Sequence, residues 1–232
     1  MEQFIRKYYP KARDGEDFTR ECIGNLVKDN EFDLSKTLLA TSVCSDEIIR
    51  SATNFRDYLE NGHPFTLGGL AGYPFSGITG FKAFASHIPD GGAAIILYGP
   101  HIGVSKDGTI GIVKRVGQGK SSSCCGALKA SVRKLSMDQF PEADAELDYQ
   151  MHSIDEGMKS NKGKILLHDE PLVAATNLMY EQIHERVHKL MNESEEAFSG
   201  HKVALIGGII INTDAELSDW FEVRSLETIE II

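Results

Sequence analysis

Three almost unbroken apolar runs constrain the fold of this chain more than any other feature. They are TLLATSV at 37–43, AAIILYG at 93–99 and VALIGGIIIN at 203–212. Each run has the length of a strand. None shows the alternation of apolar and polar residues that marks a strand with one solvent-exposed face, so both faces of each strand must be buried. Strands of this kind alternate here with helical patterns. The sequence therefore predicts an α/β fold with a central, mostly parallel β-sheet flanked by helices.

The remaining elements follow from periodicity and from turn residues. Apolar spacing predicts helices over 15–29, 46–59, 81–88, 141–159 and 171–198, and a further helix that begins at Cys125. TIGIVKRV at 109–116 predicts a strand, and the alternation at 220–232 is typical of an exposed or edge strand. A length of 232 residues fits one unit, so we expect a single α/β domain over 1–232.

Charge and hydropathy exclude several classes of partner. The formal net charge of −10 argues against binding to nucleic acid or to an anionic membrane surface. No apolar run approaches the ~20 residues of a membrane span, so none is expected. The N-terminal stretch has no apolar signal core. We therefore expect a cytoplasmic protein, or a protein of a soluble organellar stroma if a transit peptide precedes this chain.

Three groups of metal-binding type fall at the ends of predicted elements. Cys44 follows the first apolar run, His101 follows the second, and the Cys124–Cys125 pair opens a predicted helix. In α/β sheets, ligands bind beyond the carboxyl ends of the strands. Two thiolates and one imidazole suit zinc, and three protein ligands leave its fourth position open, as in catalytic sites. Buried thiols and a loop histidine are the alternative interpretation.

Two other features of the sequence are explained without a metal site. Cys22 lies on the apolar face of the helix predicted over 15–29, which favours a core position. His184 and His188 are one helical turn apart and could bind a metal. Their charged neighbours, Glu181 and Glu185, favour a solvated helix face instead.

The middle of the chain resembles a known family. GGLAGYPFSGITGFKAFASHIPDGG at 68–92, YGPHIG at 98–103 and GQGKSSSCCGA at 117–127 look like the limiting-CO2-inducible B/C proteins. That family is also described as theta-class carbonic anhydrase and is related in fold to the beta class. CSD at 44–46 is similar to the start of the beta-class Cys-x-Asp-x-Arg motif, and CGA at 125–127 is similar to the Cys-Gly-Ala of its second zinc cysteine.

The resemblance implies a zinc (Zn2+) site and an enzyme, a carbonic anhydrase. Its ligands would be Cys44, His101 and Cys125, with His87 as the reserve candidate for the histidine. Cys124 would then point into packing or toward the surroundings of the site. The implied activity is the reversible hydration of CO2 to bicarbonate by a zinc-bound hydroxide, as in a CO2-concentrating mechanism. A helix N-terminus at Cys125 would favour its thiolate.

Supporting residues follow from the same resemblance. Asp46 matches the carboxylate that orients the zinc-bound water. Position 48, where the motif has arginine, holds Ile48, so Arg50 or Arg115 is expected to restrain Asp46.

The substrate and assembly are also implied by the resemblance. Tyr73 and Phe75 are expected to line a tight CO2 pocket, and His87, if it is not a ligand, to move protons. Beta-like enzymes are dimers or larger, so we expect a homodimer that uses the apolar segments of 220–232.

Two other functions stay open. The protein could be a catalytically silent member that binds zinc and inorganic carbon, which the absence of arginine at position 48 would fit. It could instead be a cysteine-nucleophile enzyme that uses Cys44 or Cys125, which predicts no stoichiometric zinc.

Overall fold

The computed structural model describes residues 1–51, 54–60, 63–138 and 145–231, without the side chains of residues 50 and 51. Its α-helices are α1 Glu2–Tyr8, α2 Gly15–Asn30, α3 Gly77–Ala85, α4 Gly126–Met137, α5 Tyr149–Lys159, α6 Lys162–Leu166 and α7 Pro171–Asn192. Its strands are β1 Arg13–Asp14, β2 Thr37–Ser42, β3 Phe65–Thr66, β4 Ala93–Tyr98, β5 His101–Gly103, β6 Ile112–Val113, β7 Ser122–Ser123, β8 His201–Asn212 and β9 Trp220–Ile231.

The main sheet is mixed and mostly parallel, as predicted. Its strand order is β1-β9-β8-β4-β2-β3, and β5 pairs with β8 beyond the end of β4. The pairs β2–β3, β2–β4, β4–β8 and β5–β8 are parallel, whereas β9 runs antiparallel to β8 and β1. β6 and β7 form a separate antiparallel pair.

The three apolar runs form the centre of this sheet. Every residue of β4 is buried, as is β8 from Val203 to Asn212. Burying one large aliphatic side chain contributes about 1.5–3 kcal/mol, so these strands supply much of the hydrophobic stabilisation. α7 packs on β8, and Phe18 of α2 stacks on Phe221 of β9 with ring centroids 4.7 Å apart. Among the described residues, no helix is both long and apolar enough to cross a bilayer.

A close backbone contact separates β4 from β5 and so positions His101. Gly99 has φ +151°, and a Cβ atom added there would lie 1.8 Å from the carbonyl oxygen of Gly208. Only glycine permits both this conformation and this approach. The register between β8 and β9 shifts at the same place, between Gly207 and Gly208. The chain therefore leaves β4, bends at Gly99 and pairs with β8 again from His101 onward.

Several predicted boundaries were wrong. The helix expected over 46–59 is replaced by two 3-10 segments, Glu47–Ser51 and Phe55–Tyr58, while residues 52–53 lie outside the description. Of the strand expected over 109–116, only Ile112–Val113 forms a strand, which pairs with Ser122–Ser123. Ile110 makes an isolated bridge to Val104.

Three helix ends also differ from the predicted ones. α3 begins at Gly77, four residues before the predicted start. α7 ends at Asn192, and a 3-10 segment Glu195–Phe198 completes the predicted span. α5 begins at Tyr149, whereas residues 141–144 of its predicted span lie outside the description.

Candidate metal centre

Three elements deliver the two cysteines and the histidine to one place. Cys44 lies two residues after the end of β2, His101 is the first residue of β5, and Cys125 is the N-cap residue of α4. Because β2 and β4 are parallel neighbours, the segments that follow them emerge at the same edge of the sheet. This edge is where the sequence predicts the site.

The donor atoms of Cys44, His101 and Cys125 form a buried cluster. One ligand atom from each residue lies within 4.8 Å of the others, and all three side chains are buried. The Nε2 atom of His101 is itself buried and has no hydrogen-bond partner in the described structure. A buried polar atom without a partner is costly, and a metal ion would satisfy it. The donor set of two sulfurs and one imidazole fits zinc.

Asn212 and Asp219 fix the orientation of the His101 ring. The Nδ1 atom of His101 lies 2.8 Å from Oδ1 of Asn212, and Nδ2 of Asn212 donates to Oδ2 of Asp219 at 2.9 Å. Since Asn212 uses its amide nitrogen for Asp219, its oxygen accepts from Nδ1–H, so Nε2 is the ring nitrogen that would coordinate a metal after losing its proton. Neither Asn212 nor Asp219 was predicted as a site residue from the sequence. The available signal was a polar residue at the end of the apolar run 203–212.

Cys124 lies behind the histidine ring, beside the predicted site. Its Sγ atom is 3.4 Å from Nδ1 of His101 and 3.6 Å from Oδ1 of Asn212. Together with Asp46 and His101 it forms a second group whose ligand atoms lie within 4.8 Å of one another. Cys124 therefore belongs to the surroundings of the site, and Cys125 is the sulfur that faces Cys44.

The two facing sulfurs share one proton in the metal-free protein. A hydrogen bond from Cys125 lowers the pKa of Cys44 to about 4, against the opposing effect of burial. The same contact, together with burial, raises the pKa of Cys125 well above its ordinary value. Burial alone would lower the pKa of His101, but its interactions with the nearby sulfurs of Cys124, Cys125 and Cys44 raise it. The lower of the two thiol pKa values therefore belongs to Cys44, whereas the sequence favoured a thiolate at Cys125.

Arg115 is the arginine that holds Asp46. Nη1 and Nη2 of Arg115 donate to Oδ1 and Oδ2 of Asp46 at 2.7 and 2.8 Å, and both side chains are largely buried. Arg115 also donates to Glu47, to the Ser122 hydroxyl and to the Ser123 carbonyl. The side chain of Arg50, the other predicted partner, lies outside the described part of the chain.

The arginine also keeps Asp46 ionised. Burial by itself would raise the pKa of this carboxyl group, but hydrogen bonds from Arg115 and its neighbours lower the pKa to about 2. A carboxylate with so low a pKa accepts hydrogen bonds and does not retain a proton near neutral pH. Asp46 can therefore orient a neighbouring donor, and it is a poor general base.

Cys44 and Asp46 lie in the wall of a cavity of about 550 Å³. Apolar side chains form part of its wall, and polar groups, His63 among them, form another part. The lining includes Leu39, Val43, Ile49, Leu97, Glu47, Asn54, Arg56, Asp57 and His63. His63 was not predicted, because an isolated loop histidine carries no sequence signal. Of the three donors, Cys44 is the one that borders this mixed apolar and polar space.

Three predicted residues lie elsewhere. Tyr73 and Phe75 line a different cavity, of about 510 Å³, where Phe75 packs against Tyr149. His87 follows α3 in an exposed position and packs against Phe65, with ring centroids 5.9 Å apart. The structure thus brings His101, rather than His87, to the two cysteines.

Comparisons with known proteins agree with this architecture. A family model described as limiting CO2-inducible proteins B/C, beta carbonic anhydrases, matches residues 15–230. A crystal structure of PtLCIB4, a homolog of the limiting CO2-inducible protein LCIB, is 32% identical over 100% of this chain and 99% of that chain, with a TM-score of 0.88. A histidine-to-alanine mutant of PtLCIB4 is 31% identical over 98% of this chain and 93% of its own, also with a TM-score of 0.88.

A more distant structure shares the fold. The limiting CO2-inducible protein LCIB is 19% identical over 97% of this chain and 92% of its own, with a TM-score of 0.70. No curated protein sequence matches the chain significantly. The family model covers nearly the whole chain, and PtLCIB4 aligns with it from end to end. The chain therefore belongs to the family of limiting CO2-inducible proteins B/C, beta carbonic anhydrases.

Proposed function

We propose that this protein is a zinc-dependent carbonic anhydrase that interconverts CO2 and bicarbonate. The observation that carries the proposal is the buried cluster of Cys44, His101 and Cys125, in which Nε2 of His101 has no other partner among the described residues. Membership of the carbonic anhydrase family supports the same conclusion.

Cys44, His101 and Cys125 would hold the metal, with its fourth position open. The chemistry that zinc supplies when bound is a lowered pKa of coordinated water, which makes hydroxide available near neutral pH. Asn212 keeps the ring of His101 in the tautomer that a metal requires. Both cysteines must be thiolates for this role, and one of them, Cys44, already has a lowered pKa.

In this proposal, Asp46 orients the nucleophile. Oδ1 of Asp46 accepts from Arg115 and, at 3.3 Å, from the backbone N–H of Ile48, whereas Oδ2 accepts from Arg115, so Oδ2 is the oxygen that can still accept a hydrogen bond. Since the low pKa of Asp46 prevents it from keeping a proton, its contribution is direction rather than proton abstraction. Arg115 supplies the guanidinium that the beta-class motif places at position 48.

The cavity beside Cys44 is the proposed CO2 pocket. Leu39, Val43 and Leu97 give it an apolar wall, which suits a small apolar substrate. His63 lies in the same cavity and is the side chain that we expect to pass the product proton to buffer. This assigns to His63 the proton transfer that the sequence assigned to His87.

We further propose a homodimer formed through β9. Beyond its two-residue pairing with β1, the described part of β9 is an edge, and Leu226 on it is half exposed. An unpaired edge strand with exposed apolar groups is a natural surface for a second copy. Light scattering should report twice the 25.6 kDa mass of one chain. A monomer at micromolar concentration would contradict the dimer.

The test is CO2 hydration by purified protein loaded with zinc, with metal content measured on the same samples. Cys44→Ser, His101→Ala and Cys125→Ser should each lose both zinc and activity. Cys22→Ser is the matched control, since Cys22 is buried in α2 away from this cluster and should keep both. A zinc-loaded protein with no rate above its zinc-free form would refute the enzyme proposal and favour the catalytically silent member.

One observation favours a second candidate, a cysteine-nucleophile enzyme. The pKa of Cys44 is lowered to about 4, and Cys44 lies in the cavity wall near an imidazole, as an activated nucleophile would. This candidate predicts protein without stoichiometric zinc and inactivation by alkylation of Cys44 alone. Metal analysis of the protein as purified separates the two, because bound zinc would protect Cys44 from alkylation.

A further inference from the structure

A second group of metal-binding side chains lies between α7 and β9. His184 and His188 are one turn apart on α7, with ring centroids 4.3 Å apart, and Glu227 projects from β9. One ligand atom from each of the three lies within 4.8 Å of the others. All three are half-buried, so the solvated helix face that the sequence favoured for the two histidines is wrong.

Neighbouring groups hold this cluster in position. The Tyr98 hydroxyl lies 2.9 Å from Nδ1 of His184, which leaves Nε2 of that ring available. The Ser225 hydroxyl donates to Oε1 of Glu227 at 2.5 Å. Hydrogen bonds of this kind orient metal ligands in proteins, although Oε1 is also the Glu227 oxygen that faces His188.

His188 provides the observation that points to a ligand. Its Nε2 atom is buried and has no hydrogen-bond partner in the described structure. Oε1 of Glu227 lies 3.5 Å away, too far for a strong hydrogen bond. A simple His188–Glu227 ion pair would leave this atom poorly satisfied and would give His184 no role. A metal ion between the three side chains would satisfy both imidazoles and the carboxylate together.

We propose that His184, His188 and Glu227 form a second site for a divalent first-row transition metal, separate from the site at Cys44. Two imidazoles and one carboxylate suit zinc and also cobalt, nickel or copper. The residues come from two elements that are far apart in sequence, so the ion cross-links α7 to β9. Such a site stabilises the folded chain by an amount that, above Kd, grows with the logarithm of the free metal concentration. This proposal does not depend on the activity proposed above.

Cobalt(II) tests the proposal, because only the first site offers thiolates. The wild-type chain should bind two equivalents of cobalt, one with a thiolate-to-cobalt charge-transfer band and one without it. His188→Ala and the near-isosteric Glu227→Gln should each weaken the second binding event by about tenfold or more and leave the charge-transfer band unchanged. His152→Ala, which removes a half-buried histidine from α5, is the matched control and should bind two equivalents.

A variant that lacks both ligand cysteines of the first site makes the result decisive. Cys44→Ser combined with Cys125→Ser should bind one equivalent of cobalt, and adding Glu227→Gln should abolish that binding. If the double variant does not fold, the stoichiometry of wild type against Glu227→Gln decides the question alone. Binding of only one equivalent by wild type, with the thiolate-to-cobalt band, or two equivalents by both His188→Ala and Glu227→Gln, would overturn the second site.

Discussion

Replacing Arg115 is the most informative perturbation of the proposed active site. Its guanidinium makes five hydrogen bonds, two to Asp46 and one each to Glu47, Ser122 and Ser123. Its side chain is only 12% exposed, and that of Asp46 is 14% exposed. Arg115→Ala should therefore lower both the stability of the protein and its CO2 hydration activity, since Asp46 loses its orientation.

The expected loss of unfolding free energy follows from the burial of Arg115 and Asp46. Removing one partner of a fully buried ion pair costs about 3–5 kcal/mol, because the other charge stays buried without compensation. The slight exposure of both side chains lets water reach Asp46, so we expect about 2–4 kcal/mol for Arg115→Ala. Arg115→Lys keeps the charge but not the paired geometry, and should cost less, about 1–2 kcal/mol.

The chain offers a matched control for this measurement. Arg13 also makes a two-bond contact with a carboxylate, that of Glu21, but the two side chains are 44% and 56% exposed. Arg13→Ala should cost no more than about 1 kcal/mol, because water screens that pair. Urea unfolding of metal-free protein, followed by circular dichroism, measures both variants. Equal losses of unfolding free energy for Arg115→Ala and Arg13→Ala would refute the reasoning.

Three further predictions concern the framework of the site. Gly99→Ala should destabilise the fold by about 3 kcal/mol or more in thermal unfolding, because its Cβ would meet the Gly208 carbonyl. His63→Ala should lower CO2 hydration about tenfold or more in dilute buffer, and added imidazole should restore it; equal rates without imidazole would exclude His63 from proton transfer. Asn212→Leu should weaken zinc binding by about 10–100-fold in a chelator competition, since His101 loses its Nδ1 partner; unchanged affinity would contradict that role.

The central sheet was predictable because its physical signal is local. An apolar run such as 93–99 must be buried on both faces wherever it lies in the chain, and β4 is wholly buried. The prediction of an α-helix after Cys44 was wrong because 3-10 turns and an α-helix show similar apolar spacing over so short a stretch. The predicted start of α3 was four residues too late. Gly77 and Gly80 have weak helix propensity, but packing against α7 stabilises the helix there.

The residues of the candidate site were predictable from their places after strands and at a helix start, but several of the contacts among them were not. Cys44 and His101 come directly after apolar runs, so the sheet edge brings them together. Arg115 follows the two-residue strand β6, and Asn212 meets His101 only through the β5–β8 register. Contacts of this kind depend on tertiary pairing, and no periodicity in the sequence reports them. Tyr73 and Phe75 were expected in the CO2 pocket but line a different cavity from the one beside Cys44, because their position likewise depends on tertiary packing.

Zinc binding should release about two protons per chain near neutral pH. In the metal-free protein, the pKa of Cys44 is lowered to about 4, so this group is already a thiolate and releases none. The pKa values of Cys125 and His101 are raised, so each carries a proton that the metal must displace. Apparent zinc affinity should therefore rise with pH, and the rise should level off only above those raised values. Calorimetry in two buffers of different ionisation enthalpy counts the protons, with Cys22→Ser as a control that should release the same number. Release of no proton at pH 7 would show that both sulfurs and the imidazole are already deprotonated, and the shared-proton description of Cys44 and Cys125 would then be wrong.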